Sequence, residues 1–217
     1  MSIKIDLKIF LFSIILILTK QIEIYSILMI FAFIHELAHL FAGIVMGYKV
    51  ETIEVTPFGF CLSFKTKVED YNKKIEQGNK VSYKRIIIAL AGPVVNILIS
   101  YICLYLKFNS YILQERIIYS NLLLGIFNLL PIYPLDGGRI LKELIYIKKG
   151  KEKSYEISLI LSKITIIVLT IFSSVLILYV RNVAIVFVLI YLWCIVIKNE
   201  KIFKMKLNIY NKIYQTK

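Results

Sequence analysis

The chain has two histidines, and both fall in one short string, His35-Glu36-Leu37-Ala38-His39. On a helix, residues four apart share a face with roughly 5–6 Å between their Cβ atoms, so two imidazoles spaced in this way can reach one tetrahedral ion. The helical period turns Glu36 about 100° from His35. Its carboxylate is then free to face a water on the ion instead of joining the ligands, which is the division of labour in an HExxH hydrolase. One Zn2+ is the expected cofactor, with His35 and His39 as ligands and Glu36 as general base. The competing reading makes the histidines interhelical hydrogen-bonders and Glu36 a buried acid held neutral. Against it, each ionisable group in mid-membrane costs roughly 2.5–3.5 kcal/mol on insertion scales, so three together mark a functional site.

Catalytic zinc takes three protein ligands and keeps a fourth position open. No further histidine exists, and the aspartates are Asp6, Asp70 and Asp136. Asp6 is terminal and Asp70 lies in a charged loop. Asp136 follows Pro131-Ile132-Tyr133-Pro134-Leu135 and precedes Gly137-Gly138, a stretch whose prolines and glycines disturb a regular helix and free the carboxylate to turn inward. It is the best third ligand, with Glu143 in reserve. The alternative role for Asp136 is to cap the amphipathic helix that begins near Arg139.

The elements that carry these residues are strongly apolar. The 217 residues are 59% hydrophobic with a mean hydropathy of +0.75, above what a water-facing surface allows. Spans at about 5–20, 25–47, 83–106, 115–135, 156–180 and 183–198 predict an all-α polytopic membrane protein with about six transmembrane helices. Residues 1–200 then form a single transmembrane domain, and 201–217 a short basic cytosolic tail. The first span resembles a signal peptide, with Lys4 and Lys8 before an apolar run. No small-residue cleavage site follows, so it reads as a retained helix. Tyr48 to Phe64 is rich in Val, Ile, Thr and Phe and is broken at Pro57-Phe58-Gly59. That pattern predicts a small membrane-associated β-hairpin or re-entrant loop, lining a cavity or lying at headgroup level.

The net charge of +13 is placed for topology. Of the 27 Lys and Arg, 22 fall before Ile9, in 47–85, in 139–155 and from Lys198 onward. This positive-inside pattern puts both termini in the cytoplasm. No aromatic-interleaved basic stripe accompanies the charge, so nucleic acid is not an expected partner. Cys61, Cys103 and Cys194 are far apart, which argues against structural disulfides. His39 lies ten residues before Lys49, about 15 Å along a helix, and Asp136 lies three before Arg139. The metal is therefore expected in the cytosolic half of the membrane, with water entering from that side.

Four motifs in order resemble the site-2 protease family of intramembrane metalloproteases, in the branch that includes the sporulation-factor-processing proteases of spore-forming bacteria. They are HELAH in the second span, Thr56-Pro57-Phe58-Gly59, Ala91-Gly92-Pro93-Val94-Val95-Asn96 in the third span, and Asn128 through Leu135-Asp136-Gly137-Gly138 in the fourth. The match runs from about 30 to 145. The resemblance implies that His35, His39 and Asp136 bind zinc, that Glu36 is the general base, and that Pro57, Phe58 and Gly59 help align substrate as an extended strand. A strand-forming edge suits the chemistry, because a helical substrate hides its scissile carbonyl in backbone hydrogen bonds and must be unwound. Asn96 and Asn128 resemble the family's intramembrane amides that contact substrate or the catalytic surroundings, the alternative being a helix-packing hydrogen bond.

Members of that branch commonly carry a cytosolic nucleotide-sensing domain after the sixth helix. Here a short basic tail follows, so the resemblance bears on the chemistry more than on the pathway. The expected partners are a membrane-associated protein substrate, such as a transcription-factor precursor or its regulator, the lipid bilayer, and membrane regulatory proteins or a second copy of the chain. The expected location is a bacterial cell or forespore-type membrane. Two rival classes are an inactive zinc-binding scaffold, which need not keep Glu36, and a zinc transporter, which would scatter ligands over several helices.

Overall fold

The computed structural model describes residues 2–5, 22–56, 59–64, 75–106, 108, 110–180 and 184–215. The chain divides into two compact units, Met1–Asn128 and Leu129–Lys217.

In the first unit, strand β1 (Ser2–Ile5) is followed by helix α1 (Ile22–Val45), strands β2 (Val50–Thr56) and β3 (Gly59–Phe64), and helices α2 (Ile75–Tyr105) and α3 (Tyr111–Asn128). Helix α1 contains no proline and stops at Gly47, whose φ of 83° is a left-handed conformation that glycine adopts without a Cβ clash. The Gly47 N–H donates to the Ile44 carbonyl at 2.9 Å and the Tyr48 N–H to that of Gly43 at 2.9 Å, which satisfies the open end of the helix. The chain then enters a hairpin in which β2 and β3 pair antiparallel from Val50–Phe64 to Thr56–Gly59, with an irregularity between Val50 and Thr52. β1 adds in parallel to the other edge of β2, Ser2 opposite Thr52 and Ile5 opposite Val55. The expected first helix at 5–20 is corrected at its start, because Ile5 closes a strand. Residues 6–20 lie outside the described residues.

Helices α2 and α3 are joined by a short connection that Ser110 organises. Its hydroxyl accepts from the Leu113 N–H at 3.4 Å as an N-cap. Gln114 reaches back to donate to the Cys103 and Leu106 carbonyls at 2.8 and 2.9 Å, covering the end of α2. Gly125 lets the two helices approach, since a Cβ there would meet Ile97 Cγ1 at 3.0 Å and the Pro93 carbonyl oxygen at 3.3 Å.

In the second unit, a turn at 129–135 leads into α4 (Asp136–Val180) and then α5 (Ala184–Gln215). Gly150, at φ 79° and ψ −178°, divides α4 into two helical segments. The long segment buries Ser154, Ser158, Ser162 and Ile166 along one seam, and α5 buries Leu189, Leu192, Val196 and Phe203. Each serine of the seam returns its hydroxyl to a carbonyl three or four residues earlier at 2.5–2.8 Å. A seam of small, internally satisfied residues is how helices approach closely in lipid.

Among the described residues, three helices are long and apolar enough to cross a membrane, Ile22–Val45, Asn79–Tyr105 and Asp136–Ile177. They also expose large apolar side chains such as Phe41, Leu98, Ile171 and Phe172, faces that suit lipid rather than water. Helix α3 ends at Asn128, short of the expected 135. Hydropathy continues through Leu129-Leu130-Pro131-Ile132, but backbone pairing there changes to tight-turn bonds such as Ile132 N–H to the Leu130 carbonyl at 2.7 Å.

Candidate metal centre

Helix α1 buries His35, His39 and Gly43, one residue per turn on one stripe. The His39 Nδ1–H donates to the Ile88 carbonyl of α2 at 2.7 Å. That bond fixes the tautomer and leaves the Nε2 lone pair for a metal, a hydrogen bond that metal-binding imidazoles almost always make. The Nε2 atoms of His39 and His35 lie 3.1 Å apart, with the rings nearly perpendicular, at 87°. Two nitrogen ligands on one tetrahedral zinc, each at about 2.0–2.1 Å, sit about 3.3 Å apart, so the spacing fits a shared ion.

Gly92 of α2 faces the Nε2 edges of the two rings. A Cβ built on it would lie 2.5 Å from His39 Nε2, 2.6 Å from His35 Nε2 and 2.7 Å from His35 Cε1. No residue but glycine leaves this space.

Asp136 is the first residue of α4 and is buried, at 5% exposure. Its position comes from a close backbone-on-backbone fit. A Cβ on Gly137 would lie 2.0 Å from the Leu129 carbonyl oxygen, and one on Gly138 would lie 2.4 Å from both the Ile132 carbonyl carbon and the Tyr133 nitrogen. The two glycines therefore let the first turn of α4 rest directly on the preceding chain. Arg139, one turn on, holds an Nη1 atom 3.7 Å from Asp136 Oδ1.

One ligand atom each of His35, His39 and Asp136 lies within 4.8 Å of the other two, and all three residues are buried. Two imidazole nitrogens and a carboxylate oxygen, with bare backbone facing the ring nitrogens, form a donor set suited to zinc. Glu143, the reserve ligand, is not among them. Glu36 follows His35 on α1 and is half-buried.

The remaining residues singled out from the sequence fall in different places. Asn96 lies one turn after Gly92 on α2, is fully buried, and neither atom of its amide has a hydrogen-bond partner. The helix-packing hydrogen bond considered for it is thus not formed. Asn128 ends α3 and donates its amide to the Leu124 carbonyl of its own helix at 3.0 Å. Gly59 opens β3 opposite Thr56, while Pro57 and Phe58 lie outside the described residues. Gly92 and the Ile88 carbonyl are the functional groups that sequence reasoning missed. The Ala91-Gly92-Pro93 string is visible in the sequence, but its purpose depends on which helix faces it.

The model of peptidase family M50 matches residues 24–117 and 107–172. A zinc metalloprotease of Methanocaldococcus jannaschii is 30% identical over 156 residues, covering 69% of this chain and 42% of that protein. Stage IV sporulation protein FB of Bacillus subtilis is 28% identical over 145 residues, 65% of this chain and 47% of that protein. The chain thus spans less than half the length of these curated relatives. Among solved structures, the site-2 protease from Methanocaldococcus jannaschii shares the fold, with a TM-score of 0.66 and 24% identity over 91% of this chain and 89% of that one.

Proposed function

Since this chain belongs to peptidase family M50, we propose that it is a membrane-embedded zinc endopeptidase that hydrolyses a peptide bond of a membrane-associated protein. The observation that carries the reading is the approach of His35, His39 and Asp136 to within 4.8 Å, with Glu36 next to the first of them in the chain. The archaeal relative, itself named a zinc metalloprotease, supports the choice of ion. When bound, zinc supplies Lewis-acid activation of water and of the scissile carbonyl. Glu36 takes the proton of the attacking water and returns it to the leaving amine. Ile88 holds His39 in the required tautomer, and Gly92 keeps the space in front of both rings clear.

The substrate is aligned as an added strand. In the order β1-β2-β3, β2 is flanked on both sides, whereas β3 has an outer edge open among the described strands. The far end of β3 is tied to the ligand helix, since a Cβ on Gly43, one turn past His39, would lie 2.3 Å from the Phe64 ring. Pairing at that edge unwinds the scissile segment beside the metal. Pro57, Phe58 and Gly59 help align the substrate, the buried amide of Asn96 binds its backbone, and Asn128 contacts the substrate or the catalytic surroundings.

Residues 1–200 act as one membrane domain with six spans and a membrane-associated hairpin, both termini cytoplasmic. The basic segments at 47–85 and 139–155 support this, and they place the metal toward the cytosol. The substrate class is a transcription-factor precursor or its regulator, in keeping with the sporulation protein among the relatives. Membrane regulators or a second copy of the chain complete the partner set.

The test uses purified protein in proteoliposomes with a membrane-tethered reporter carrying an apolar helical segment. Glu36→Gln keeps one zinc per chain and stops cleavage, whereas Asp136→Ala loses zinc. A Glu36→Gln protein that cuts at the wild-type rate would end this mechanism.

A further inference from the structure

The turn that delivers Asp136 is held by more than its own backbone. Within it, Tyr133 is gripped at both ends of its backbone. The Tyr133 N–H donates to Ser162 Oγ on α4 at 3.0 Å, and the Tyr133 carbonyl accepts from Asn199 Nδ2 on α5 at 3.3 Å. Both side chains are set for the task. Ser162 spends its own hydroxyl proton on the Ser158 carbonyl at 2.7 Å, which orients the oxygen as an acceptor. Asn199 also donates to the Ile195 carbonyl at 3.0 Å, which fixes the plane of its amide.

The Tyr133 ring is held as well. It lies 4.9 Å from the Phe203 ring, and the Lys142 ammonium sits 5.0 Å from Tyr133, 4.7 Å from Tyr155 and 5.4 Å from Phe203, measured to ring centres. Lys142 is six residues past Asp136 on the same helical segment. This cation–aromatic box therefore ties that segment to the rings it faces.

We propose that Ser162 and Asn199 are positioning residues for Asp136, acting through the Tyr133 backbone. The inference rests on Asp136 being a zinc ligand. The mechanical link is the glycine pair, because Gly138 leaves no room even for a Cβ, which would lie 2.4 Å from the Tyr133 nitrogen and 2.4–2.6 Å from the Ile132 carbonyl. A turn that shifts at Tyr133 takes the first turn of α4 with it. A metal ligand has to stay within about 0.2 Å of its bonding distance, so a small displacement at Tyr133 is expressed as lost zinc affinity. Outer partners of this kind typically account for 10–100-fold in metal affinity.

The experiment measures zinc affinity by chelator competition, and the visible spectrum of the cobalt-substituted protein, for the full chain in detergent. Ser162→Ala and Asn199→Leu each weaken zinc by on the order of 10-fold and alter the cobalt bands, while Ser162→Thr, which keeps the hydroxyl, restores both. Ser158→Ala is the control, since its hydroxyl returns to the Ser154 carbonyl on the same seam. It changes helix packing but leaves zinc affinity and the cobalt spectrum at wild-type values. Equal zinc loss in Ser158→Ala and Ser162→Ala, or wild-type zinc affinity in both Ser162→Ala and Asn199→Leu, overturns the proposal. Asp136→Ala separates the two levels. If it binds zinc normally, the ligand assignment fails; if it loses zinc while the Ser162 and Asn199 variants do not, the positioning role alone fails.

Discussion

Gly92→Ala is the most economical probe of the metal centre, since it adds a single methyl group at a known place. That carbon would lie 2.5–2.7 Å from three atoms of the two imidazoles, whereas carbon makes favourable contact at about 3.5–4.0 Å. Either the rings or helix α2 must retreat by about 1 Å. Metal–ligand distances tolerate only about 0.2 Å, so the rings cannot yield and still share one ion. Overpacking of this kind costs about 1–3 kcal/mol, and the better helix propensity of alanine offsets about 1 kcal/mol. The expected result is therefore selective: far-UV circular dichroism and the thermal midpoint of the zinc-free protein stay close to wild type. Zinc affinity falls by about 100-fold or more, beyond the range typical of an outer hydrogen bond, and cleavage falls with it. A Gly92→Ala protein that binds one zinc with wild-type affinity would refute the argument, because it would show that α2 does not stand against the rings.

Gly43→Ala strikes the Phe64 ring at 2.3 Å and not the ligands. It keeps zinc, as metal analysis would show, but cleavage of the membrane-tethered reporter drops by about 10-fold or more as β3 is pushed off α1. Glu200 offers a pH test away from the site. Hydrogen bonds from the Lys163 and Lys204 ammoniums hold its carboxyl down at about 2, below the ordinary 4.5. Because the folded-state value is lowered, the stabilisation is complete above about pH 4.5 and fades as pH falls toward 2. The thermal-midpoint gap between wild type and Glu200→Gln is thus constant above pH 5 and closes below pH 3. It stays small, under about 1 kcal/mol, since these ion pairs are partly solvated.

What the sequence makes legible here is what depends on local period or on elimination. HExxH needs only a helix to place two imidazoles on one face, and Asp136 is the one aspartate beside a membrane span with the chain geometry to turn inward. The β-branched run from Tyr48 to Phe64 likewise announces extended chain. The rest depends on partners far away in sequence. Ser2–Ile5 reads as the lead-in to an apolar run and becomes a strand only because β2 offers it an edge. The end of α3 is hidden because hydropathy does not change where the hydrogen bonding does. Residues 201–215 look like a basic tail, yet α5 runs on to Gln215, with Phe203 buried at 1% exposure among the rings of Tyr133 and Tyr155. The work of Ser162 and Asn199 cannot be seen at all until their carbonyl and N–H partners are in place.

The glycines give the metal centre a graded sensitivity that follows from what each one touches. At Gly92 the obstructing atoms are ring ends, which swing about side-chain bonds, so alanine there displaces ligands and spares the backbone. At Gly137 the obstructing atom is the Leu129 carbonyl oxygen at 2.0 Å, and at Gly138 it is the Ile132–Tyr133 peptide at 2.4 Å. Neither can move without rebuilding the turn. Alanine at 137 therefore disturbs the first turn of α4 as a whole, lowering the thermal midpoint of the metal-free protein as well as its zinc affinity. Alanine at 92 lowers zinc affinity alone. Bare backbone is the material that allows both effects: it places donors closely without adding polar side chains that would need partners in a dry surrounding. It also loses no rotamer freedom on folding. A metal-free thermal midpoint for Gly137→Ala equal to that of Gly92→Ala would contradict this ordering. The stiffness of the Asp136 turn would then have to come from the Tyr133 clamp rather than from the glycine contact.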